Sequence, residues 1–282
     1  MFRPLIRLVT LAALAVVAAP RPAGAEFLIT ASGSFKTSFT FSERFDGTDF
    51  FFDDLPPLVD TSPFAGGSFT ATYLVPGPPA PPTNQTVGNA IYPFGPPAVL
   101  TFTLFNAAGA VLSTGQLDQN AQGFISNNTF GGATNELDQV SLLAEGPAGP
   151  GLTLPPSLFG PTQMATYAEL LFLDIFDPAV RPGPLSGLGI PTDPAVYALF
   201  PQRTPFLGAA PRSTFQFETF LLDGDFENFA GPYQIVSTDV FYDITSVQVT
   251  AVAVPVPPTL LVLAAGAAGL GLARRRVSGR PT

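Results

Sequence analysis

The sequence predicts a mainly β protein, and in particular an antiparallel β-sandwich of jelly-roll type over residues 26–253. Apolar and polar residues alternate with a period of two in several segments, which is typical of strands with one buried face. The 27 Gly and 32 Pro residues cluster between these segments and indicate loops. The chain has no Cys, so a domain of this kind must be held by its core, in which Phe is the main apolar residue.

Residues 1–25 have the three parts of a secretory signal peptide. Arg3 and Arg7 form a basic start, and residues 8–19 form an uncharged apolar run. This run is shorter than the roughly 20 residues of an ordinary spanning helix. The small residues at the −3 and −1 positions and the residue after the expected cut are Ala23, Ala25 and Glu26. The alternative is a short buried helix.

Four segments of the middle region show the clearest alternation. One set of alternate positions, rich in Ser and Thr, is expected to form a hydroxyl-rich outer surface, and the other set, almost all apolar, is expected to face the core. The residues expected to face inward are Phe35, Thr37, Phe39 and Phe41, then Leu100, Phe102 and Leu104, then Phe215 and Phe217, and finally Val247, Val249 and Ala251.

Residues 162–176 allow two interpretations. Their many apolar residues fit an amphipathic helix, which Asp177 and Pro178 would end. A strand is the alternative. We predict a helix over 162–176.

The C-terminal end repeats the arrangement of a targeting segment. It consists of a proline motif (254–259), an apolar run (259–273), a basic cluster (274–276) and a short tail (277–282). As a helix, the apolar run would be about 22 Å long against a hydrocarbon core of about 30 Å. It predicts a short transmembrane helix. The basic cluster favours a cytoplasmic C-terminus, which places the middle region outside.

These C-terminal features together resemble the PEP-CTERM sorting signal, whose pattern is Val-Pro-Glu-Pro-Ser-Thr followed by an apolar helix and a basic cluster. Val256 stands in place of the Glu and Pro258 in place of the Ser. The matching residues are Val254, Pro255, Pro257 and Thr259, and the basic cluster is Arg274, Arg275 and Arg276.

The resemblance implies a route and a processing partner. Proteins of this family are substrates of an exosortase, an intramembrane cysteine transpeptidase that is thought to cut near the proline motif. The family occurs in Gram-negative bacteria, often beside genes for exopolysaccharide synthesis. The resemblance therefore implies an intermediate in the inner membrane and a final place at the cell surface or in the extracellular matrix, in association with exopolysaccharide or biofilm.

Charge placement excludes one class of partner. All 21 acidic residues and only five basic residues lie between Glu26 and Asp243, so this region carries 5 − 21 = −16. The other basic residues flank the two apolar ends. Nucleic-acid binding by the middle region is not expected, because phosphate contacts need clustered Lys and Arg.

The composition also argues against catalysis. Without His and Cys, the chain has no Ser-His-Asp triad, no thiolate nucleophile and no His-based metal site. Carboxylate pairs for glycoside hydrolysis carry little information, because some pair is always available among 21 acids. We therefore expect a protein that is not an enzyme.

One acidic segment is a candidate calcium site. Asp223, Asp225 and Glu227 share one face of an extended segment, and Ca²⁺ prefers such oxygen ligands. A solvated Asp-Gly turn is the alternative. No other cofactor is expected. The acidic residues of 46–49 and 53–54 give a similar but weaker pattern.

Three functions remain open from the sequence, of which the third is a secreted carbohydrate-active enzyme with an anchor. The first is an exported, non-enzymatic surface or matrix protein with an exosortase-type sorting signal. The alternative is a plain single-pass anchored ectodomain that binds glycan or Ca²⁺ and is not processed at its C-terminus.

Overall fold

The computed structural model of the 282-residue chain describes residues 26–52, 55–77, 81–127, 136–149, 152, 154–155, 157–160, 162–176, 179, 183–191, 193–202, 213–224 and 231–252. Apart from Val252, these residues belong to one compact unit, Gly24–Ala251. The predicted signal peptide and the predicted sorting segment lie outside the described residues.

Antiparallel strands make up most of the described chain, which confirms the prediction of a mainly β protein. The strands are β1 (Glu26–Phe45), β2 (Phe50–Phe51), β3 (Ser68–Val75), β4 (Asn84–Thr86), β5 (Asn89–Pro93), β6 (Val99–Phe105), β7 (Val111–Leu117), β8 (Gln119–Ser126), β9 (Glu136–Pro147), β10 (Thr162–Phe176), β11 (Thr214–Gly224) and β12 (Tyr233–Val252). The described residues also form one α-helix, α1 (Pro194–Gln202), and a 3₁₀ turn, Ser62–Phe64.

All twelve strands belong to one sheet. Its order is β4-β5-β8-β9-β10-β11-β12-β1-β3-β6-β7, with β2 paired to the end of β1. The first and last strands are therefore neighbours. The Tyr233 hydroxyl donates to Glu43 at 2.7 Å, and the Thr245 hydroxyl donates to the carbonyl of Ser32 at 3.3 Å. These contacts follow the two strands in opposite directions, so β1 and β12 are antiparallel.

The sheet bends back on itself, so that its two halves share one core. Phe102 on β6 and Phe217 on β11 have ring centroids 5.1 Å apart, although their strands are four positions apart in the sheet. Four strand spacings in a flat sheet would separate them by about 19 Å. Phe69 on β3 likewise stacks on Phe215 with centroids 4.6 Å apart. The two halves therefore pack face to face.

A fully buried aromatic group lies at the centre of this core. Phe69, Phe215 and Tyr242 are each at most 1% exposed, and their rings contact one another. The Tyr73 hydroxyl reaches across from β3 and donates to the carbonyl of Leu143 on β9 at 3.0 Å. The predicted inward positions Leu100, Phe102, Leu104 and Phe215 are confirmed as buried, and Phe217, Val247 and Val249 pack against the core as half-buried residues.

Helix α1 covers part of the same core. Asp193 precedes it and accepts a hydrogen bond from the backbone N–H of Ala195 at 2.9 Å, and Pro194 occupies the first helical position, which needs no N–H. Its Tyr197 is fully buried against Phe27 of β1 and Phe172 of β10, with centroids 5.9 and 5.6 Å away.

The prediction of a helix over 162–176 is wrong, because these residues form strand β10. Burial alternates along it, with Leu170 and Phe172 facing the core and Tyr167 and Glu169 facing outward. The strand pairs with β9 on one side and with β11 on the other, so the backbone groups along both of its edges are hydrogen-bonded. Leu and Ile on the outer face made the segment look apolar all round, and this obscured the period of two.

The prediction that Phe39 and Phe41 face the core is also wrong. Phe35 meets the inward ring of Tyr242 edge-on at 6.0 Å, whereas Phe39 stacks on the outward ring of Phe241 at 5.5 Å. The strand therefore changes the face it presents between these two residues. Phe39 and Phe41 are 51% and 39% exposed. Exposed positions further include Thr37 and Ala251, which had also been expected to face inward.

Within the described ranges, no helix is long and apolar enough to cross a membrane. The predicted transmembrane helix at 259–273 lies beyond those ranges.

The two kinds of Phe on these strands should respond differently to truncation. Phe215→Ala removes a ring that contacts Phe69, Phe102 and Tyr242, so we expect it to lower the free energy of unfolding by roughly 3–5 kcal/mol. Phe39→Ala should cost less than about 1 kcal/mol, because half of the ring already contacts water. Urea unfolding of both variants checks this, and equal losses would contradict the change of face in β1.

Candidate binding surface on the outer face of the sheet

The outer face of β9, β10, β11 and β12 carries a row of polar side chains. Strand register places Glu145 opposite Tyr167, Tyr167 opposite Glu218, and Glu218 opposite Asp239. Each is next in sequence to a core residue, so all four project to the outer side of the sheet. Since neighbouring strands are about 4.8 Å apart, the row extends for about 14 Å.

Hydrogen bonds join this row to a second one beside it. Glu169 accepts from the hydroxyls of Tyr167, at 3.2 Å, and Ser141. The side-chain amide of Gln216 donates to Asp239 at 2.9 Å and to Glu218 at 3.4 Å. These contacts hold the carboxylates in place on the face of the sheet. We call Asn120, Ser141, Glu145, Tyr167, Glu169, Gln216, Glu218 and Asp239 the outer polar surface.

Crowding and burial change how the acids of this surface ionise. Burial, together with the nearby charges of Asp239 and Glu169, raises the pKa of Glu218 to about 7. Burial also raises the pKa of Asp239, although hydrogen bonds from Ser237 and Gln216 partly oppose the shift. Glu218 is therefore partly protonated at neutral pH and has both a donor and an acceptor to offer a ligand.

Two shallow cavities flank the Glu145–Tyr167 pair. One, of about 260 Å³, is lined by Tyr167 and Glu218 together with the apolar side chains of Phe220, Leu222 and Ile235. The other, of about 580 Å³, includes Asn120 and Glu145, and Asn120 donates to Glu145 at 2.7 Å. The rest of its lining is Pro93, Phe94, Pro96, Asp118, Ala121 and Gln122. Carboxylates, amides and an aromatic hydroxyl thus line one continuous strip.

The pair of Glu218 and Asp239 offers only one accessible acid. Glycoside hydrolysis needs two carboxyl groups that both reach the substrate. Asp239 is only 4% exposed, and its two oxygens accept bonds from Gln216 and Ser237 at 2.9 and 2.8 Å. Only Glu218 of this pair faces the cavity, so the pair lacks a second accessible acid.

Asp223, the first residue of the predicted calcium site, holds a neighbouring loop in place through its carboxylate. It is 1% exposed, and its carboxylate accepts from the Ser157 hydroxyl at 2.9 Å and from the backbone N–H groups of Leu158 and Phe159 at 2.5 and 3.2 Å. It thereby fixes the loop that precedes β10. Burial opposes ionisation, but these hydrogen bonds outweigh it and lower the pKa of Asp223.

The structure leaves the rest of the predicted sites untested. Asp225 and Glu227 lie outside the described residues, as do the cleavage residues Ala23 and Ala25 and the sorting residues Val254, Pro255, Pro257, Thr259, Arg274, Arg275 and Arg276. Glu26 is the first residue of β1. Among the described residues, no three or more acidic side chains are grouped so as to hold a metal ion.

Sequence reasoning did not assemble the outer polar surface. It placed Gln216 and Glu218 on the polar side of a strand, which is correct, but it assigned Tyr167 and Glu169 to a helix. A strict test for a period of two over 162–176 would have put both on one face. Their position opposite Glu145 and Glu218 depends on strand register, which a single sequence does not contain.

The comparisons with known proteins identify no relative. No family model matches the chain, and neither a curated protein nor a solved structure matches it.

The raised pKa of Glu218 predicts a stability that falls with rising pH. The folded state holds a proton up to about pH 7 that the unfolded state releases near pH 4.5. Glu218→Gln should therefore raise the free energy of unfolding above pH 7, by on the order of 1 kcal/mol after allowance for partial exposure. Below pH 4.5 this gain should disappear, because Glu218 is then protonated in both the folded and the unfolded state. Thermal melts between pH 4 and 8.5 measure it. A difference that does not change with pH would contradict the shift.

The lowered pKa of Asp223 predicts the opposite dependence of stability on pH. Because its pKa is lowered in the folded state, its contribution is present above about pH 4 and is lost as the pH falls through the folded value. Asp223→Asn should cost roughly 1–3 kcal/mol at pH 7, since charge-assisted hydrogen bonds to the loop are weakened. Asp118→Asn, at an exposed position, is the matched control and should lie within about 0.5 kcal/mol of wild type. Equal effects of both substitutions would show that the Asp223 carboxylate does not stabilise the loop before β10.

Proposed function

We propose that the chain is an exported, non-enzymatic surface or matrix protein that carries an exosortase-type sorting signal at its C-terminus. In this proposal residues 1–25 are a signal peptide, residues 26–253 are a jelly-roll-like sandwich that forms the ectodomain, and residues 254–282 are the sorting segment. Its partners are the membrane, an exosortase-type enzyme and the exopolysaccharide of a Gram-negative cell envelope.

The observation that carries the proposal is the three-part C-terminal segment. A proline motif, an apolar run of 15 residues and three consecutive arginines follow one another in the order of the sorting signal. A signal peptide at the other end of the chain supplies the matching export step. Neither end is needed to explain the fold of the region between them.

The fold supports the proposal in one respect. β1 begins at Glu26, the residue expected to follow signal-peptide cleavage, and β12 ends at Val252, two residues before the proline motif. Because these strands are antiparallel neighbours, both points lie at the same end of the strand pair. One end of the domain would thus be tethered, and the opposite end would face away from the tether.

Substitutions in the sorting segment test the proposal. Replacing Pro255 and Pro257 with Ala should leave export intact but stop C-terminal processing, so that the protein accumulates in the membrane fraction. Replacing Arg274, Arg275 and Arg276 with Ser should impair orientation or retention. Ser278→Ala, in the tail, is the control. Fractionation of the native host that is unchanged by both sets would overturn the proposal.

Glycan binding by the ectodomain is a second candidate function, and the outer polar surface favours it. Planar carboxylate and amide groups make paired hydrogen bonds with the hydroxyls of sugars, and this strip offers several such groups beside the ring of Tyr167. The net charge of −16 between residues 26 and 243 disfavours acidic polysaccharides. The class of ligand that fits is therefore a neutral oligosaccharide.

Binding measurements separate this second candidate from an accidental arrangement. Calorimetric titration with neutral oligosaccharides should show binding that falls at least tenfold in Tyr167→Ala and Asn120→Ala, since each removes a contact worth on the order of 1.4 kcal/mol. Thr103→Ala, on β6 in the other half of the sheet, is the control. Binding that is absent, or equal in all three variants, would rule out this surface as a glycan site.

A further inference from the structure

The smaller of the two cavities on the outer face combines apolar walls with one carboxyl group. Its volume is about 260 Å³, and its lining consists of Tyr167, Glu218, Phe220, Leu222 and Ile235. All five side chains are half-buried, so the cavity is open to solvent on one side. Since sites for drug-sized ligands occupy about 300–1,000 Å³, this cavity fits a smaller molecule.

Strand register shows that the lining is one connected surface. Glu218, Phe220 and Leu222 are alternate residues of β11, so their side chains project to the same side of the sheet. Tyr167 of β10 lies opposite Glu218, and Ile235 of β12 lies opposite Leu222. The residues between these positions on β11 and on either side of Ile235 are buried, which confirms that the lining faces outward.

The carboxyl end of the cavity has an excess of negative charge. Glu218 lies between Asp239 of β12 and Tyr167 of β10, and the tyrosine lies beside Glu169 and opposite Glu145. In the part of the chain that the structure describes, none of these four carboxylates is paired with a lysine or an arginine. The hydrogen bonds to them come from uncharged amide and hydroxyl groups.

A cation at this end of the cavity would relieve the crowding of charge. Burial and the charges of Asp239 and Glu169 raise the pKa of Glu218 to about 7, so the ionised form is disfavoured. A positive group beside the carboxylate favours the ionised form instead. The ring of Tyr167 lines the same space, and aromatic rings attract cations over their faces.

We propose that this cavity binds a small amphipathic amine, whose ammonium group contacts Glu218 and whose apolar chain lies on Phe220, Leu222 and Ile235. The ammonium donates charge-assisted hydrogen bonds to the carboxylate. From Glu218 to Leu222 the strand rises by about 13 Å, and the cavity walls beyond the carboxylate are apolar over this length. The proposal rests neither on the sorting signal nor on glycan binding, since it concerns the smaller cavity alone.

Other small ligands fit this cavity less well. The four carboxylates repel an anion. A calcium ion needs six to eight oxygen ligands, whereas one carboxylate and one phenol are the polar side chains among the described lining residues. A neutral apolar molecule would desolvate Glu218 further without offering it a partner. An ammonium group on an apolar chain satisfies both ends of the cavity.

Calorimetric titration of the full chain in a neutral detergent tests the proposal with hexylammonium chloride as the probe. 1-Hexanol has the same chain without the charge, and propylammonium has the same charge on half of the chain. We expect hexylammonium to bind at least tenfold more tightly than either analogue at pH 7.5, because the site uses both ends of the ligand. Equal binding of 1-hexanol or of propylammonium would overturn the proposal.

A charge-removing substitution shows whether the amine occupies this cavity. Glu218→Gln keeps the shape of the side chain and should weaken hexylammonium binding at least tenfold. Glu136→Gln removes a carboxylate at the other end of β9 and is the matched control, which should stay within twofold of wild type. Circular dichroism checks that both variants are folded. Equal effects of the two substitutions would mean that the amine responds to the net charge of the domain, and would overturn the proposal.

Proton linkage gives a readout that a merely structural role of Glu218 would not produce. Hexylammonium affinity should fall about eightfold between pH 7.5 and pH 6, as Glu218 takes up its proton. The ammonium of the probe stays charged over this range, because the pKa of an alkylamine is about 10. The ¹³C carboxyl resonance of labelled Glu218 should show a pKa lowered by at least one unit at saturating hexylammonium. An affinity that does not change with pH, or an equal pKa change in sodium chloride at the same concentration, would overturn the proposal.

Discussion

The pairing of the first strand with the last strand is the contact on which the rest of the structure depends. In the strand order, β1 and β12 join a group that contains β4, β5 and β8 to β11 to a group that contains β3, β6 and β7. Phe69 and Phe215 belong to different groups, and they can stack only because this pairing bends the sheet around them. An ion pair between Lys36 and Asp243 at 3.0 Å spans the same strands. Without a disulfide, hydrophobic burial and strand pairing must offset the entropy of closing a loop of about 200 residues.

The same pairing determines what the surface offers. On the outer face, Phe39 of β1 stacks on Phe241 of β12 and marks the boundary between the aromatic and the polar regions. To one side, register places Asp239 beside Glu218 and Tyr167, and burial together with nearby charges raises the pKa of Glu218 to about 7. To the other side, the end of β1 presents exposed Phe rings, among them Phe41 and Phe52. Two regions of different chemistry thus lie on neighbouring strands.

Part of this arrangement follows from the sequence alone, and part does not. Alternation over Leu100, Phe102 and Leu104 predicts β6 and its buried face correctly, because every second residue there is strongly apolar and the others are Thr. Alternation does not reveal the strand over 162–176, where both faces are apolar, or the outward position of Phe39, because the strand changes face between two residues of the same type. The outer polar surface depends on register between strands, in which Tyr167 lies opposite Glu218 although 51 positions separate them in the sequence, so no local pattern reveals it.

The central claim is that this domain is exported and then released from its terminal segments. Intact mass of the protein from its native host, taken from membrane and released fractions, tests it most directly. The account predicts a released form that begins at Glu26 and ends near the proline motif, with or without an added group at the new C-terminus. A single form running from Glu26 to Thr282 and confined to the membrane would contradict processing, and a form that retains Met1 would contradict export by a cleaved signal.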